Sequence, residues 1–151
     1  MRIGVISDTH GLLRPDALKL LDRSDHIIHA GDMGSPEIVP ALERIAPVTA
    51  IRGNIDTEAW AKRFPETEVV KLGGLLFYVI HDIHALDLNP QAAGLAAVIS
   101  GHSHLPRQEV RNGVLYFNPG SAGPRRFKLP VSLGRLEITA GKLRGEIVDI
   151  S

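Results

Sequence analysis

Apolar residues in this chain gather into short runs, and the runs repeatedly stop at Asp, His or Asn. Residues 3–6 read as a first strand that gives way to Ser7-Asp8-Thr9-His10-Gly11. Pro15 opens a helical pattern that puts Ala17, Leu18 and Leu21 on one face. Residues 26–30 form a second apolar run, stopped at Gly31-Asp32. Ser35-Pro36-Glu37 has the make-up of a helix start: a hydroxyl cap, a proline in the first turn and an acid at the positive end of the helix dipole. Ile38, Leu42 and Ile45 continue it at helical spacing, and residues 48–51 give a third strand that runs into Arg52-Gly53-Asn54. The order strand, helix, strand, helix, strand implies parallel strands joined by right-handed crossovers. In such sheets, binding sites form at the carboxyl ends of the strands.

The second half has a different rhythm. Residues 69–72 and 75–80 flank Gly73-Gly74 as a hairpin, and its second strand ends at His81-Asp82. A short helix is expected over residues 90–94. Residues 97–99 then lead into Ser100-Gly101-His102-Ser103-His104. Asn112-Gly113 suits a type I′ turn between residues 109–111 and 114–117, and Asn118-Pro119-Gly120-Ser121 closes that unit. Residues 122–130 form a basic loop, and residues 132–138 and 142–150 are two last strands around Ala140-Gly141. The expected architecture is α/β (α+β), with two mixed sheets packed face to face and helices outside, in one domain spanning residues 1–151. No repeat, linker or low-complexity tract interrupts it.

Composition narrows the chemistry. The 151 residues suffice for a full hydrophobic core, and 44% hydrophobic with 23% charged residues is ordinary for a soluble globular protein. Lys plus Arg and Asp plus Glu are both 17, which argues against a dedicated nucleic-acid or membrane-surface binder. There is no cysteine, so disulfides and thiolate metal sites are excluded. The N-terminus lacks the long apolar segment of a signal peptide, and no apolar run approaches the ~20 residues of a membrane helix. The expected location is therefore the cytoplasm.

The polar residues at strand ends are Asp8, His10, Asp32, Asn54, His81, His102 and His104. They offer imidazole, carboxylate and amide donors, which suit Mn²⁺, Fe²⁺, Zn²⁺, Ni²⁺ or Co²⁺. Seven donors exceed one tetrahedral zinc and suit two cations about 3.5–4 Å apart, a geometry that clamps a phosphoryl group.

Asp8-Thr9-His10, Gly31-Asp32, Gly53-Asn54, His81 and Gly101-His102-Ser103-His104, in this order and spacing, resemble the signature of the calcineurin-like metallophosphoesterase superfamily. The Asn118-Pro119-Gly120-Ser121 segment, the length and the strand order resemble its small YfcE-type phosphodiesterase branch. The resemblance covers nearly the whole chain. It implies a four-layer αββα sandwich. It also implies that Asp8, His10 and His104 hold one divalent cation, that Asn54, His81 and His102 hold a second, and that Asp32 bridges them. The activity implied is hydrolysis of a phosphodiester in a small phosphorylated substrate, by attack of a hydroxide bridging two cations, most often Mn²⁺.

The chain departs from the family pattern in places. Many larger relatives have a histidine after the Gly-Asn pair that serves as leaving-group acid; here that position is Ile55. Asp56 follows it, and a carboxylate there could equally cap a helix at Thr57. The family usually has Gly after the histidine at 81, where this chain has Asp82. Asp82 and the nearby His84 are candidates for substrate contact or for support of a ligand, and so is Arg52, although a salt bridge is as good a reading of that arginine. His29 reads as structural or as orienting a ligand, and His26 as structural. Arg125, Arg126 and Lys128 read as a solvated loop, Asn118 and Ser121 as turn residues within reach of the site, and Trp60 and Phe64 as core. Two other readings stand beside the phosphodiesterase: a phosphomonoesterase or nuclease of the same superfamily, and a non-catalytic scaffold like the retromer subunit of this branch. Self-association is left open by the sequence.

Overall fold

The computed structural model describes residues 1–151. The strands are β1 (Arg2–Ile6), β2 (His26–His29), β3 (Val48–Ala50), β4 (Thr67–Leu72), β5 (Leu75–Ile80), β6 (Ala97–Ile99), β7 (Arg107–Arg111), β8 (Val114–Asn118), β9 (Ser132–Thr139) and β10 (Lys142–Asp149); the helices are α1 (Pro15–Leu21) and α2 (Ile38–Glu43). They form two five-stranded mixed sheets, β10-β9-β1-β2-β3 and β4-β5-β6-β8-β7. Each has a parallel centre: β1, β2 and β3 in the first, β5, β6 and β8 in the second. Antiparallel strands flank those centres.

The sheets are held face to face by one apolar layer. Ile3, Val5, Ile28 and Ile51 from the first meet Phe77, Val79, Ile99 and Phe117 from the second. The alternation of side chains along a strand sends the neighbouring residues the other way. Thus Ile6 and Ile27 pack under Ala17, Leu21 and Leu42, while Tyr78, Ile80 and Val98 face outward under Leu95. Strands buried on both faces need apolar residues at nearly every position, which is why they read as continuous runs. Phe77 and Phe117 are fully buried, and truncating either to alanine should cost about 3–5 kcal/mol. No helix is long and apolar enough to cross a membrane.

The main departures from expectation lie in the helices. Residues 90–94 form turns rather than a helix: the Ala93 N–H donates to Asn89 O and the Leu95 N–H to Pro90 O, and Gly94 ends the segment at φ 72°. So few residues between a proline and a glycine cannot repay helix nucleation. The outer layer on the second sheet is thinner as a result, made of these turns and a single 3₁₀ turn, Ile83–Ala85. The second helix begins at Ile38, not at Ser35. The Ser35 hydroxyl is spent locally, accepting from the Glu37 N–H and donating to the Glu37 carboxylate. Trp60 lies in a 3₁₀ helix, Ala59–Arg63, and both it and Phe64 are partly buried against the cluster beneath α1 and α2.

Both hairpin turns that the glycine pairs predict are present. Gly73 and Gly74 have φ of 56° and 83°, and Asn112 and Gly113 have 52° and 77°, the left-handed pair that a type I′ turn requires. The consequence for function lies at the other ends of these strands. β1, β2 and β3 run out into Asp8, Asp32 and Asn54, while β5 and β6 run out into His81 and His102. The two parallel centres therefore open onto one polar edge.

Candidate functional site

Asp8 is fully buried. Its Oδ2 accepts from the Ser7 hydroxyl (2.8 Å) and from the His102 backbone N–H (3.0 Å). Its Oδ1 faces three imidazoles: His104 Nε2 at 3.4 Å, His81 Nε2 at 3.8 Å and His10 Nε2 at 3.9 Å. Asp32 lies beside it. Its Oδ1 accepts from the Ile55 N–H (3.0 Å), and its Oδ2 is 3.2 Å from His81 Nε2 and 3.7 Å from His10 Nε2. Two groups of donor atoms result, Asp8 with His10 and His104, and Asp8 with Asp32 and His81; within each, the atoms lie within 4.8 Å of one another.

The backbone is bent to bring this about. Asp8, His10, Asp32, His102 and His104 all have positive φ, between 47° and 70°. The left-handed region costs a non-glycine residue about 1–2 kcal/mol, although aspartate and histidine enter it more readily than most side chains. Such strain concentrates where surrounding structure forces it. The two sheets also need close approach at their ends. A Cβ on Gly101 would overlap the Ser7 hydroxyl and crowd the Asp8 carboxylate, and one on Gly53 would overlap Asp32.

Protonation follows from these contacts. The His81 Nδ1–H donates to Ala30 O (2.7 Å), which fixes the tautomer and turns Nε2 toward the carboxylates. Burial disfavours the imidazolium at His81, but the adjacent Asp32 carboxylate and the hydrogen bond to Ala30 O outweigh it and hold the pKa above the ordinary histidine value. Burial likewise opposes charge on Asp32, and the adjacent His81 imidazole and the Ile55 N–H overcome it, so its carboxyl titrates below the usual range. His29 is sealed in the core behind the site, and burial lowers its pKa to about 4. Its Nδ1 accepts the Gly31 N–H, so Nε2–H donates to the Thr9 hydroxyl (3.0 Å), which donates in turn to Met33 O (2.9 Å). That chain links the Asp8–His10 loop to the loop carrying Asp32.

The other candidates are placed as follows. Asn54 and His102 are exposed and adjacent, with Asn54 Oδ1 3.1 Å from His102 Nδ1. The His102 ring stands edge-on to His81 at 5.1 Å, and the His10 and His104 rings are 5.3 Å apart. Asp82 sits at the rim: Oδ1 accepts from the His84 N–H and Oδ2 is 3.9 Å from His102 Nε2. The His84 side chain is exposed. The Arg52 guanidinium is engaged elsewhere, with Phe64 O and Glu66. Asn118 donates to Gly101 O and to the Ser103 hydroxyl, and Ser121 donates to Asp8 O, so the Asn-Pro-Gly-Ser segment supports the backbone of both histidine and aspartate turns.

Asp56 neither caps a helix nor stands free as an acid. It is buried, and it accepts N–H bonds from Met33 (3.0 Å), Gly34 (3.0 Å) and Gly53 (2.9 Å). Its role depends on loops distant in sequence. The only local signal is the tight turn in which its own N–H donates to Gly53 O.

Four buried polar atoms find no hydrogen-bond partner: Asp8 Oδ1, His10 Nε2, His81 Nε2 and His104 Nδ1. Leaving such groups unsatisfied costs about 1–3 kcal/mol each, and proteins rarely tolerate one. Asp8 Oδ1, His10 Nε2 and His81 Nε2 cluster, and their donor types are those of a divalent-cation site.

The calcineurin-like phosphoesterase superfamily profile matches residues 1–141. A probable metallophosphoesterase from Methanothermobacter thermautotrophicus is 34% identical over 98% of this chain and 92% of its own length. The phosphodiesterase YfcE of Escherichia coli K12 is 27% identical over 91% of this chain and 88% of its own. Among solved structures, an archaeal phosphodiesterase superposes with a TM-score of 0.81 at 25% identity, over 98% of this chain and all of that one. A single-site variant of Vps29 from Entamoeba histolytica superposes at 0.76 and 25% identity, over all of both chains.

Proposed function

Since this chain belongs to the calcineurin-like phosphoesterase superfamily, we propose that its polar edge holds two divalent cations and hydrolyses phosphodiesters of a small phosphorylated substrate. Its place among metal-dependent phosphoric ester hydrolases rests on the family match and on the named relatives. The observation that carries the two-cation reading is the cluster of buried, unpartnered donor atoms on Asp8, His10 and His81, with His104 Nε2 facing the same Asp8 oxygen.

In this reading Asp8, His10 and His104 hold one cation, Asn54, His81 and His102 the other, and Asp32 stands between, its Oδ2 facing both His10 and His81. Bound cations would supply Lewis acidity toward the phosphoryl oxygens and a water acidified at neutral pH. Mn²⁺ or Ni²⁺ suits a site of nitrogen and oxygen donors without thiolate. The chain's own groups set the orientation. Ala30 O fixes the His81 tautomer, the Ile55 N–H fixes Asp32 Oδ1, and Ser7 with the His102 N–H fixes Asp8 Oδ2. No acid stands where larger relatives place one: Ile55 is an exposed aliphatic side chain, and both Asp56 oxygens are occupied by N–H groups. Substrates whose leaving group departs without protonation should react best.

The test is hydrolysis of bis(p-nitrophenyl) phosphate against p-nitrophenyl phosphate with Mn²⁺ or Ni²⁺ added. The diester should be the faster substrate. Equal or faster monoester turnover would overturn the diesterase assignment. The likeness to Vps29 supports a second reading, a binding scaffold; lack of turnover with every cation, together with specific capture of a protein partner, would favour it.

A further inference from the structure

We infer that Asp56 is a positioning residue that locks the loop carrying Asp32 to the loop carrying Asn54, and so sets the spacing on which the second cation depends; this rests on the two-cation reading above. Met33 and Gly34 directly follow Asp32, and Gly53 directly precedes Asn54. All three donate their backbone N–H to the one Asp56 carboxylate, at 2.9–3.0 Å. The side chain is 4% exposed and makes no ion pair, so its bonding is with these loops alone.

Two features make this more than local turn closure. The loops are in close contact at the same point, where a Cβ on Gly53 would overlap Asp32. They are also joined a second time, by the Ile55 N–H on Asp32 Oδ1. Asp32 itself has φ 58°, a conformation that must be held from outside. A carboxylate is needed because three N–H donors converge on it. Asparagine would offer one acceptor oxygen and aim its own N–H₂ at a backbone N–H.

The experiment is Asp56→Asn, with Mn²⁺ binding followed by calorimetry and elemental analysis. The second equivalent of Mn²⁺ should weaken by ~10–100-fold, the usual effect of removing a group that orients a metal site, while the first persists. Diester hydrolysis should fall at limiting Mn²⁺ and recover as Mn²⁺ is raised. Unchanged binding of both equivalents would overturn the inference. So would a loss that persists at saturating Mn²⁺ and grows with the leaving group's pKa, since that pattern makes Asp56 a proton donor. Amide exchange in the unmodified protein decides the case if the variant does not fold. The N–H groups of Met33, Gly34 and Gly53 should be strongly protected, and exchange at the rate of open loops would overturn the lock. Should the unmodified protein bind no Mn²⁺, the two-cation reading fails, and the exchange data still judge Asp56 by itself.

Discussion

Asp8 and His104 are almost sealed from solvent, whereas Asn54 and His102, across the same cleft, are exposed; the His102 side chain is 45% accessible. The two halves of the site use the same donor chemistry in different surroundings. Charge interactions strengthen as water is excluded. In the proposed assignment the first half has its own carboxylate, Asp8, while the second combines the buried His81 with the exposed Asn54 and His102 and shares Asp32. Depth and charge together predict a tightly held cation in the first half and a weaker one in the second.

Replacing the shared carboxylate gives the largest expected effect. Asp32→Asn should cut diester kcat/KM by ~10²–10³-fold or more, the scale of losing one direct charge contact in a transition state. A variant that keeps a tenth of the activity at saturating Mn²⁺ would break the view that both halves depend on it. His104→Ala against His102→Ala then separates the halves. Mn²⁺ titration should show binding weakened by at least ~100-fold for the first and at least ~10-fold for the second, since losing a direct ligand should cost no less than losing a group that only orients one. Equal losses would erase the distinction.

The smallest effect is a pH dependence behind the buried half. Burial holds His29 near a pKa of about 4, below the ordinary histidine value of 6.5. The unfolded chain therefore binds the proton more readily. The stability this neutral imidazole contributes is fully present above pH 6.5 and is lost as pH falls toward 4. Between pH 6.5 and 5.5 the loss should be about 1 kcal/mol, read from thermal unfolding of EDTA-treated protein. A His29→Gln variant should flatten that slope.

The parallel centres of the sheets were legible because strands buried on both faces must be apolar throughout. The same runs showed where they stop, which placed Asp8, Asp32, His81 and His102 at strand ends. The hairpins were legible through Gly73-Gly74 and Asn112-Gly113, since few pairs tolerate two positive φ values. What stayed hidden depends on partners far along the chain. Asp56 looks like a turn acid until Met33 and Gly34 are brought against it. Ser121 looks like a turn hydroxyl until it meets Asp8 O, 113 residues away. Arg52 adjoins the site in sequence, but its guanidinium finds Phe64 and Glu66 instead. The left-handed backbone of His10, His102 and His104 has only a weak sequence signal, because histidine enters that region more often than most residues but packing decides where.

The first strand is flanked by β2 on one side and by β9 on the other. An N-terminal strand whose second neighbour lies over a hundred residues downstream cannot complete its ladder early in synthesis. Chains dominated by distant pairings fold slowly, because loop closure must precede any reward. The Asp8 turn shares this delay, since its carbonyl waits for Ser121 and its carboxylate for the His102 N–H. The hydrolytic edge should therefore be among the last parts of the molecule to form, so that a nascent chain lacking β9 has its acids and imidazoles but no assembled centre.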